Sequence, residues 1–256
     1  MEQTPASKEK MNEADFAEIL SKCAYKEIHT LTSEKLSVCL IESQRCVHNF
    51  RRFLSWVKLI VPPIRGQTGG GIIDFKVTPH LEKFVKILLT EPLISVLKAR
   101  QIYISTTLAA YHLWLARSKL GSNVLLFSKG QPEAKELLAK SHRMYDLLPP
   151  FLKCKIDPDS TEELGLPIMK SSIKAFPSTQ SASKSYTASC LTCDEHTEHP
   201  YADENYMSSK PTRDAGGQFI SVSTADPFSN DNLFTAIFTD ALEGKNDFIP
   251  VFFPYD

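Results

Sequence analysis

Apolar residues recur along this chain either as helical stripes or as short continuous runs, and the order of the two predicts the architecture. Phe16, Ile19, Leu20 and Cys23 recur at i, i+3, i+4 and i+7, the stripe of an amphipathic helix. Further helical patterns cover residues 33–44 and 46–57, giving a helical lead-in that packs on the main domain. Residues 61–73 read as a loop, punctuated by Pro62-Pro63 and Gly69-Gly70-Gly71. Thr78 and Pro79 form a helix start, and Leu81, Phe84, Val85 and Leu88 form its buried stripe. The short apolar run 93–97 reads as a strand, and 107–117 as an apolar helix carrying Leu108, Leu113, Trp114 and Leu115. His112 lies among these apolar residues and reads as a core or surface histidine.

The alternation then repeats. Residues 123–127 read as a strand. Pro132 opens a long helix with Ala134, Leu137, Leu138, Ser141, Met144 and Tyr145 on one stripe, and Pro149-Pro150 ends it. Residues 153–170 read as irregular, with a hairpin as one option, and 173–176 as another strand. A serine-rich turn, 178–185, and a short strand at 190–193 lead into Asp194-Glu195. Strands at 218–223 and 248–253 flank a helix at 232–242. Strand, helix, strand, helix predicts an α/β fold with a mainly parallel sheet and helices on both faces.

Composition narrows the class. The chain has 256 residues, 42% of them apolar and 23% charged, enough for one substantial core with an appendage. The formal net charge of −1 excludes a global basic field, so any nucleic-acid contact rests on a local patch. No apolar run reaches the roughly 18 residues of a membrane span. The first 11 residues are polar, read as disordered, and lack the apolar core of a signal peptide. The six cysteines read as reduced thiols of a cytosol.

The stretch with most chemical content is 98–106, Lys-Ala-Arg-Gln-Ile-Tyr-Ile-Ser-Thr. Strand, loop, helix is the layout of a phosphate-binding loop, where backbone N–H groups and a helix N-terminus face an anion. Against G-x-x-x-x-G-K-[ST], Lys98 takes the first glycine position, Tyr103 the second, Ile104 the lysine position and Ser105 the hydroxyl position.

The wider frame is more specific. LKARQIYISTTLAAYHLWLA, GSNVLLFSKGQPEAKELL, SSIKAFPSTQSASKSYTASCLTCDE, DAGGQFISVSTADP and GKNDFIPVFFPYD, in that order, resemble the ATPase domain of the large terminase subunit, the DNA-packaging motor of tailed bacteriophages. The resemblance covers residues 46–256, leaving 1–45 as an N-terminal helical segment. It implies a P-loop ATPase that uses ATP and Mg²⁺ to drive double-stranded DNA into a procapsid. It also implies a portal protein, a small terminase subunit and a ring of identical copies as partners, in the host cytoplasm. The family's nuclease domain would follow the last strand, so no nuclease activity is expected of these residues.

The resemblance also assigns roles. Some members carry the loop lysine at the first position, where Lys98 stands, so Lys98 would reach the β- and γ-phosphates, with Ala99, Arg100, Gln101 and Thr106 lining the loop. Ser105 would place its hydroxyl on Mg²⁺ and Asp194 would meet the metal through water. Glu195 would orient the attacking water, and Arg100 and Lys184 would supply positive charge. Ser223, Thr224 and Ala225 match the family's coupling motif, and Pro79 its adenine motif. Tyr103 replaces a family glycine, Leu81 a glutamine and Lys184 an arginine. A remnant that keeps the fold without hydrolysing, or a helicase-like P-loop translocase, are the alternative readings. Separately, Cys190, Cys193, His196 and His199 are spaced C-x₂-C-x₂-H-x₂-H, plausible Zn²⁺ ligand types, although a strand would point the two cysteines to opposite faces.

Overall fold

A computed structural model describes residues 12–63, 70–179, 188–224 and 231–254. The chain opens with helices α1 (Glu13–Cys23), α2 (Ser33–His48) and α3 (Phe50–Leu54), followed by strands β1 (Lys58–Val61) and β2 (Gly71–Asp74) and helix α4 (Pro79–Thr90). The alternating part comes next: β3 (Leu93–Lys98), α5 (Ile104–Ser118), β4 (Asn123–Ser128), α6 (Gln131–Leu147), β5 (Glu163–Leu166), β6 (Ser171–Pro177) and β7 (Cys190–Asp194). Helices α7 (Ala202–Ser208) and α8 (Lys210–Asp214), strand β8 (Gln218–Thr224), helix α9 (Leu233–Leu242) and strand β9 (Ile249–Phe253) complete it.

A seven-stranded sheet forms the centre in the order β5-β6-β4-β7-β8-β3-β9. Every neighbouring pair is parallel except the edge pair β5 and β6. The central parallel strands β3, β4 and β8 are short apolar runs buried on both faces, as their composition requires. Helices α5 and α6 pack on one face; α8 and α9 pack on the other. Two side-chain clusters record the two faces. One joins Ile94, Val96, Cys190, Ile220 and Val222 to the N-terminal helices, and the second joins Leu125, Phe127, Leu191, Cys193 and Phe219 to Ile237.

Helix α5 is buried almost throughout, from Ile104 to Arg117, because the lead-in covers the side that the sheet does not. Trp114 Nε1 donates to the Cys46 carbonyl at 2.8 Å, and Arg117 Nη2 donates to Ser43 Oγ at 2.7 Å, so α2 is tied to α5 by polar contacts as well as packing. Glu42 is fully buried on α2 and accepts from Arg52 Nη2 at 2.9 Å and Trp56 Nε1 at 2.8 Å.

Several boundaries differ from the periodicity reading. One expected helix over 46–57 is divided, because Asn49 ends α2 and its side chain caps α3 by accepting from the Arg52 N–H at 3.0 Å. The expected loop at 61–73 carries a small antiparallel pair, with Lys58 opposite Asp74. The irregular stretch 153–170 contributes β5, and α7 and α8 lie in a segment that shows too little periodicity to be read.

His112 is a core histidine. It is fully buried on α5, and its Nε2 shares a hydrogen bond with Thr192 Oγ1 at 2.8 Å. Burial pushes its pKa down from 6.5 to about 3, so it folds neutral. The unfolded chain takes up the proton first. This contribution to stability is therefore complete above pH 6.5 and is lost as pH falls toward 3, with a limiting slope of about 1.4 kcal/mol per pH unit for each such group. Urea unfolding at a series of pH values is expected to show a shallower acid loss for His112→Gln than for the native chain, and equal slopes would contradict the assignment.

Candidate active site

Strand register decides which side chains meet. Lys98, the last residue of β3, stands opposite Thr224 of β8 and Phe253 of β9. On the other side of β8, Asp194 of β7 stands opposite Val222. The carboxyl ends of β3, β7 and β8 therefore lie side by side, the edge of a parallel α/β sheet where ligands bind.

The loop after β3 turns tightly into α5. The Ala99 N–H continues the ladder to the Phe253 carbonyl at 2.9 Å. Gln101 and Tyr103 then take φ of 61° and 63°, both left-handed, and α5 begins at Ile104. The Tyr103 carbonyl accepts from the Thr107 N–H at 2.8 Å and from Thr107 Oγ1 at 2.9 Å, which anchors the helix start. His80, on α4, donates from Nε2 to the Ile102 carbonyl at 3.1 Å and ties the loop from outside. Tyr103 thus adopts the conformation that glycine adopts freely, and its ring turns outward, 47% exposed.

The acidic pair completes the set. Ser105 Oγ donates to Asp194 Oδ1 at 3.1 Å. Glu195 also has a left-handed backbone, φ 52°, and turns its carboxylate toward β3 and β8. Lys98 Nζ donates to Glu195 Oε1 at 3.0 Å, while Glu195 Oε2 accepts from the Thr224 N–H at 3.1 Å and from Thr224 Oγ1 at 2.9 Å. Burial pushes the Glu195 carboxyl up, but the Lys98 charge and the Thr224 donors outweigh it and hold it below its ordinary range. Burial dominates at Asp194, whose pKa is raised even with Lys98 and Ser105 pulling it down.

Lys98, Ser105, Asp194, Glu195 and Thr224 are therefore one connected cluster. Ser223 is fully buried behind it and bonds Thr197, with its Oγ 2.6 Å from Thr197 Oγ1. Ala99 lies on the loop, half-buried, and Thr106 lies on the first turn of α5. Arg100 and Gln101 are exposed on the loop, and Pro79 is exposed at the start of α4. Leu81 is buried in the core at 2% exposure. Lys184 and Ala225 lie outside the described residues. The periodicity reading missed His80, and also a cleft of about 220 Å³ beside the loop, lined by Lys58, Tyr103, Thr106, Lys140, Arg143 and Met144. Nothing local marks these residues, because the cleft joins β1 and α6 only through the fold.

No protein-family profile matches the sequence, and no curated protein matches it. Solved structures do match in fold. The HK97 bacteriophage large terminase superposes with a TM-score of 0.60 and 13% identity, over 80% of this chain and 43% of that one. The Thermus phage P74-26 large terminase ATPase domain gives 0.51 and 13%, over 70% of this chain and 86% of that domain. The large terminase of another thermophilic bacteriophage gives 0.51 and 11%, over 64% of this chain and 41% of that one. The fold is a P-loop type α/β fold, a mostly parallel sheet flanked by helices with a helical start. Within that class it is the fold of large terminase ATPase domains, and the chain spans less than half the length of the first and third of these proteins.

A left-handed tyrosine costs on the order of 1–3 kcal/mol, partly offset by the unfolded-state entropy that a glycine would add. Tyr103→Gly is expected to raise the free energy of unfolding by about 1 kcal/mol, and Tyr103→Val to lower it by about as much, as measured by urea denaturation. Destabilisation by the glycine would contradict the strained-loop description.

Proposed function

We propose that this chain is a nucleotide-driven motor domain of the terminase type, which binds ATP with Mg²⁺ at the carboxyl ends of β3, β7 and β8. The observation that carries the reading is the joined set of Lys98, Glu195 and Thr224 beside the Ser105–Asp194 pair. A cation, a helix N-terminus and a positive-φ loop suit the β- and γ-phosphates. The Ser105 hydroxyl and the Asp194 carboxylate are hard oxygen donors 3.1 Å apart, a pair that fits Mg²⁺. Mg²⁺, when bound, neutralises charge on the phosphate oxygens. Ala99, Arg100, Gln101 and Thr106 complete the cradle, and the cleft beside Tyr103 and Thr106 has room for the nucleoside end, with Pro79 flanking the loop from α4.

In this reading Glu195 orients the attacking water. Its lowered pKa keeps it ionised at neutral pH, ready to accept a hydrogen bond. Thr224 fixes one of its oxygens, and Lys98 occupies the other until phosphate draws the lysine away. Because Thr224 ends β8, a change at Glu195 passes directly into that strand, which is the coupling role of Ser223, Thr224 and Ala225. Arg100 and Lys184 supply charge to the departing phosphoryl group. The work done is translocation of double-stranded DNA in the host cytoplasm, by a ring of copies that meets a portal protein and a small terminase subunit. None of the described helices is long and apolar enough to cross a membrane.

Tyr103, at the loop's glycine position, supports a second reading: a chain that keeps the fold and has lost turnover. Calorimetry separates the two. On the first reading the native chain binds Mg-ATP, Lys98→Ala weakens binding at least tenfold, and Glu195→Gln binds normally while losing turnover about a hundredfold or more. Binding by Tyr103→Gly and not by the native chain favours the second reading. Absence of binding in both overturns the nucleotide assignment.

A further inference from the structure

Immediately behind the acidic pair, on the α9 side of the sheet, Cys193, His196 and His199 place one ligand atom each within 4.8 Å of one another. All three side chains are buried, at 3%, 2% and 7% exposure. The two imidazole rings meet edge to face, with centroids 4.9 Å apart. Each ring has one nitrogen engaged away from the cluster. His196 Nδ1 bonds Ser221 Oγ at 2.7 Å, and His199 Nε2 donates to the Asp194 carbonyl at 2.9 Å. These are the outer contacts that orient metal-binding histidines: a ring N–H held by a carbonyl or hydroxyl leaves the opposite nitrogen's lone pair for the ion. His199 Nδ1 is that opposite nitrogen, and it is buried with no hydrogen-bond partner among the described residues. His112 Nδ1 is buried and unpartnered too, but among the described residues only His199 combines such a nitrogen with a thiol and a second imidazole whose ligand atoms gather within 4.8 Å, an arrangement suited to a cation.

We infer that Cys193, His196 and His199 form a binding site for one divalent transition-metal ion, best matched by Zn²⁺, which ties the end of β7 to the turn that presents Glu195. One thiolate and two imidazoles are the donor types that Zn²⁺ prefers over Mg²⁺ or Ca²⁺, and three protein ligands leave the fourth tetrahedral position to a water molecule. Cys190 is not a ligand. It lies on the opposite face of β7, in the other core cluster, so the spacing C-x₂-C-x₂-H-x₂-H contributes only its last three members. Coordination replaces the proton on Cys193 Sγ, which leaves to solvent, and burial of all three ligands means that the ion enters as the chain folds. Its ligands are distinct from the residues proposed to hold nucleotide. Asp194 and Glu195 lie between Cys193 and His196 in sequence, so an ion at this point fixes both ends of the segment that carries them.

The test is a cobalt(II) titration of the full chain, refolded after removal of metal with a chelator. Native protein is expected to take one equivalent, with a thiolate-to-cobalt charge-transfer band that added Zn²⁺ displaces, and its melting temperature is expected to rise with Zn²⁺. Cys193→Ser removes the charge-transfer band, His199→Ala weakens binding at least tenfold, and Cys190→Ser and Cys154→Ser bind as the native chain does. If Cys193→Ser does not fold, the native titration and the Cys190→Ser and Cys154→Ser controls still decide. No charge-transfer band in the native chain, a band that survives Cys193→Ser, or a band lost in Cys190→Ser or Cys154→Ser overturns the assignment. Since Lys98→Ala leaves these ligands intact, loss of ATP binding and loss of metal binding are read separately.

Discussion

The ion pair between Lys98 and Glu195 is the contact on which the arrangement of the site depends. It spans β8, because the sheet order places β3 and β7 on either side of that strand, and Thr224 holds the same carboxylate from the middle. Residues 97 positions apart are thereby set within hydrogen-bonding distance by strand register alone. With the Lys98 side chain only 7% exposed and that of Glu195 29%, the pair stands in a partly desolvated edge where each charge needs the other. Such a pair leaves two outcomes when an anion arrives: the lysine stays on the carboxylate and the site is closed, or it moves to the anion and the carboxylate becomes available to water.

Three of the four left-handed non-glycine residues among those described lie at the same edge, the fourth being Lys170 before β6. Gln101, Tyr103 and Glu195 take left-handed conformations, and none of them is glycine. Each is overdetermined by its neighbours: the loop by His80 and Thr107, the acidic turn by Lys98, Thr224 and His199. Strain held in place by surrounding structure in this way is what the proposed site would use to keep its groups pre-organised. The cluster of Cys193, His196 and His199 lies directly beneath the strained Glu195, so a metal there and the acidic pair share one turn of chain.

Much of this was legible from residue order, and the rest was hidden for identifiable reasons. Short continuous apolar runs give β3, β4 and β8, and longer apolar or striped runs give α5, α6 and α9, because buried parallel strands and the helices that cover them are strongly apolar. Lys98, Ser105 and Asp194-Glu195 stand at strand ends and helix starts, positions that the pattern marks. The β1–β2 pair escaped because each strand has only four residues and the prolines and glycines between them read as a loop, and α7 and α8 because helices of a turn or two have no period to detect. His80 and the cleft residues are set by contacts between elements far apart in sequence, which no local pattern encodes. Strand alternation did foresee that Cys190 and Cys193 face opposite ways, while the grouping of Cys193 with His196 and His199 is visible only in the structure.

The most direct measurement is a crystal structure of the chain grown with Mg²⁺ and a non-hydrolysable ATP analogue. Phosphate density is expected against the 99–105 loop, with Lys98 Nζ moved from Glu195 onto a phosphate oxygen and Glu195 still held by Thr224. Nucleotide density elsewhere on the molecule, or a Lys98–Glu195 pair that remains closed with phosphate bound in the loop, would contradict the proposed site.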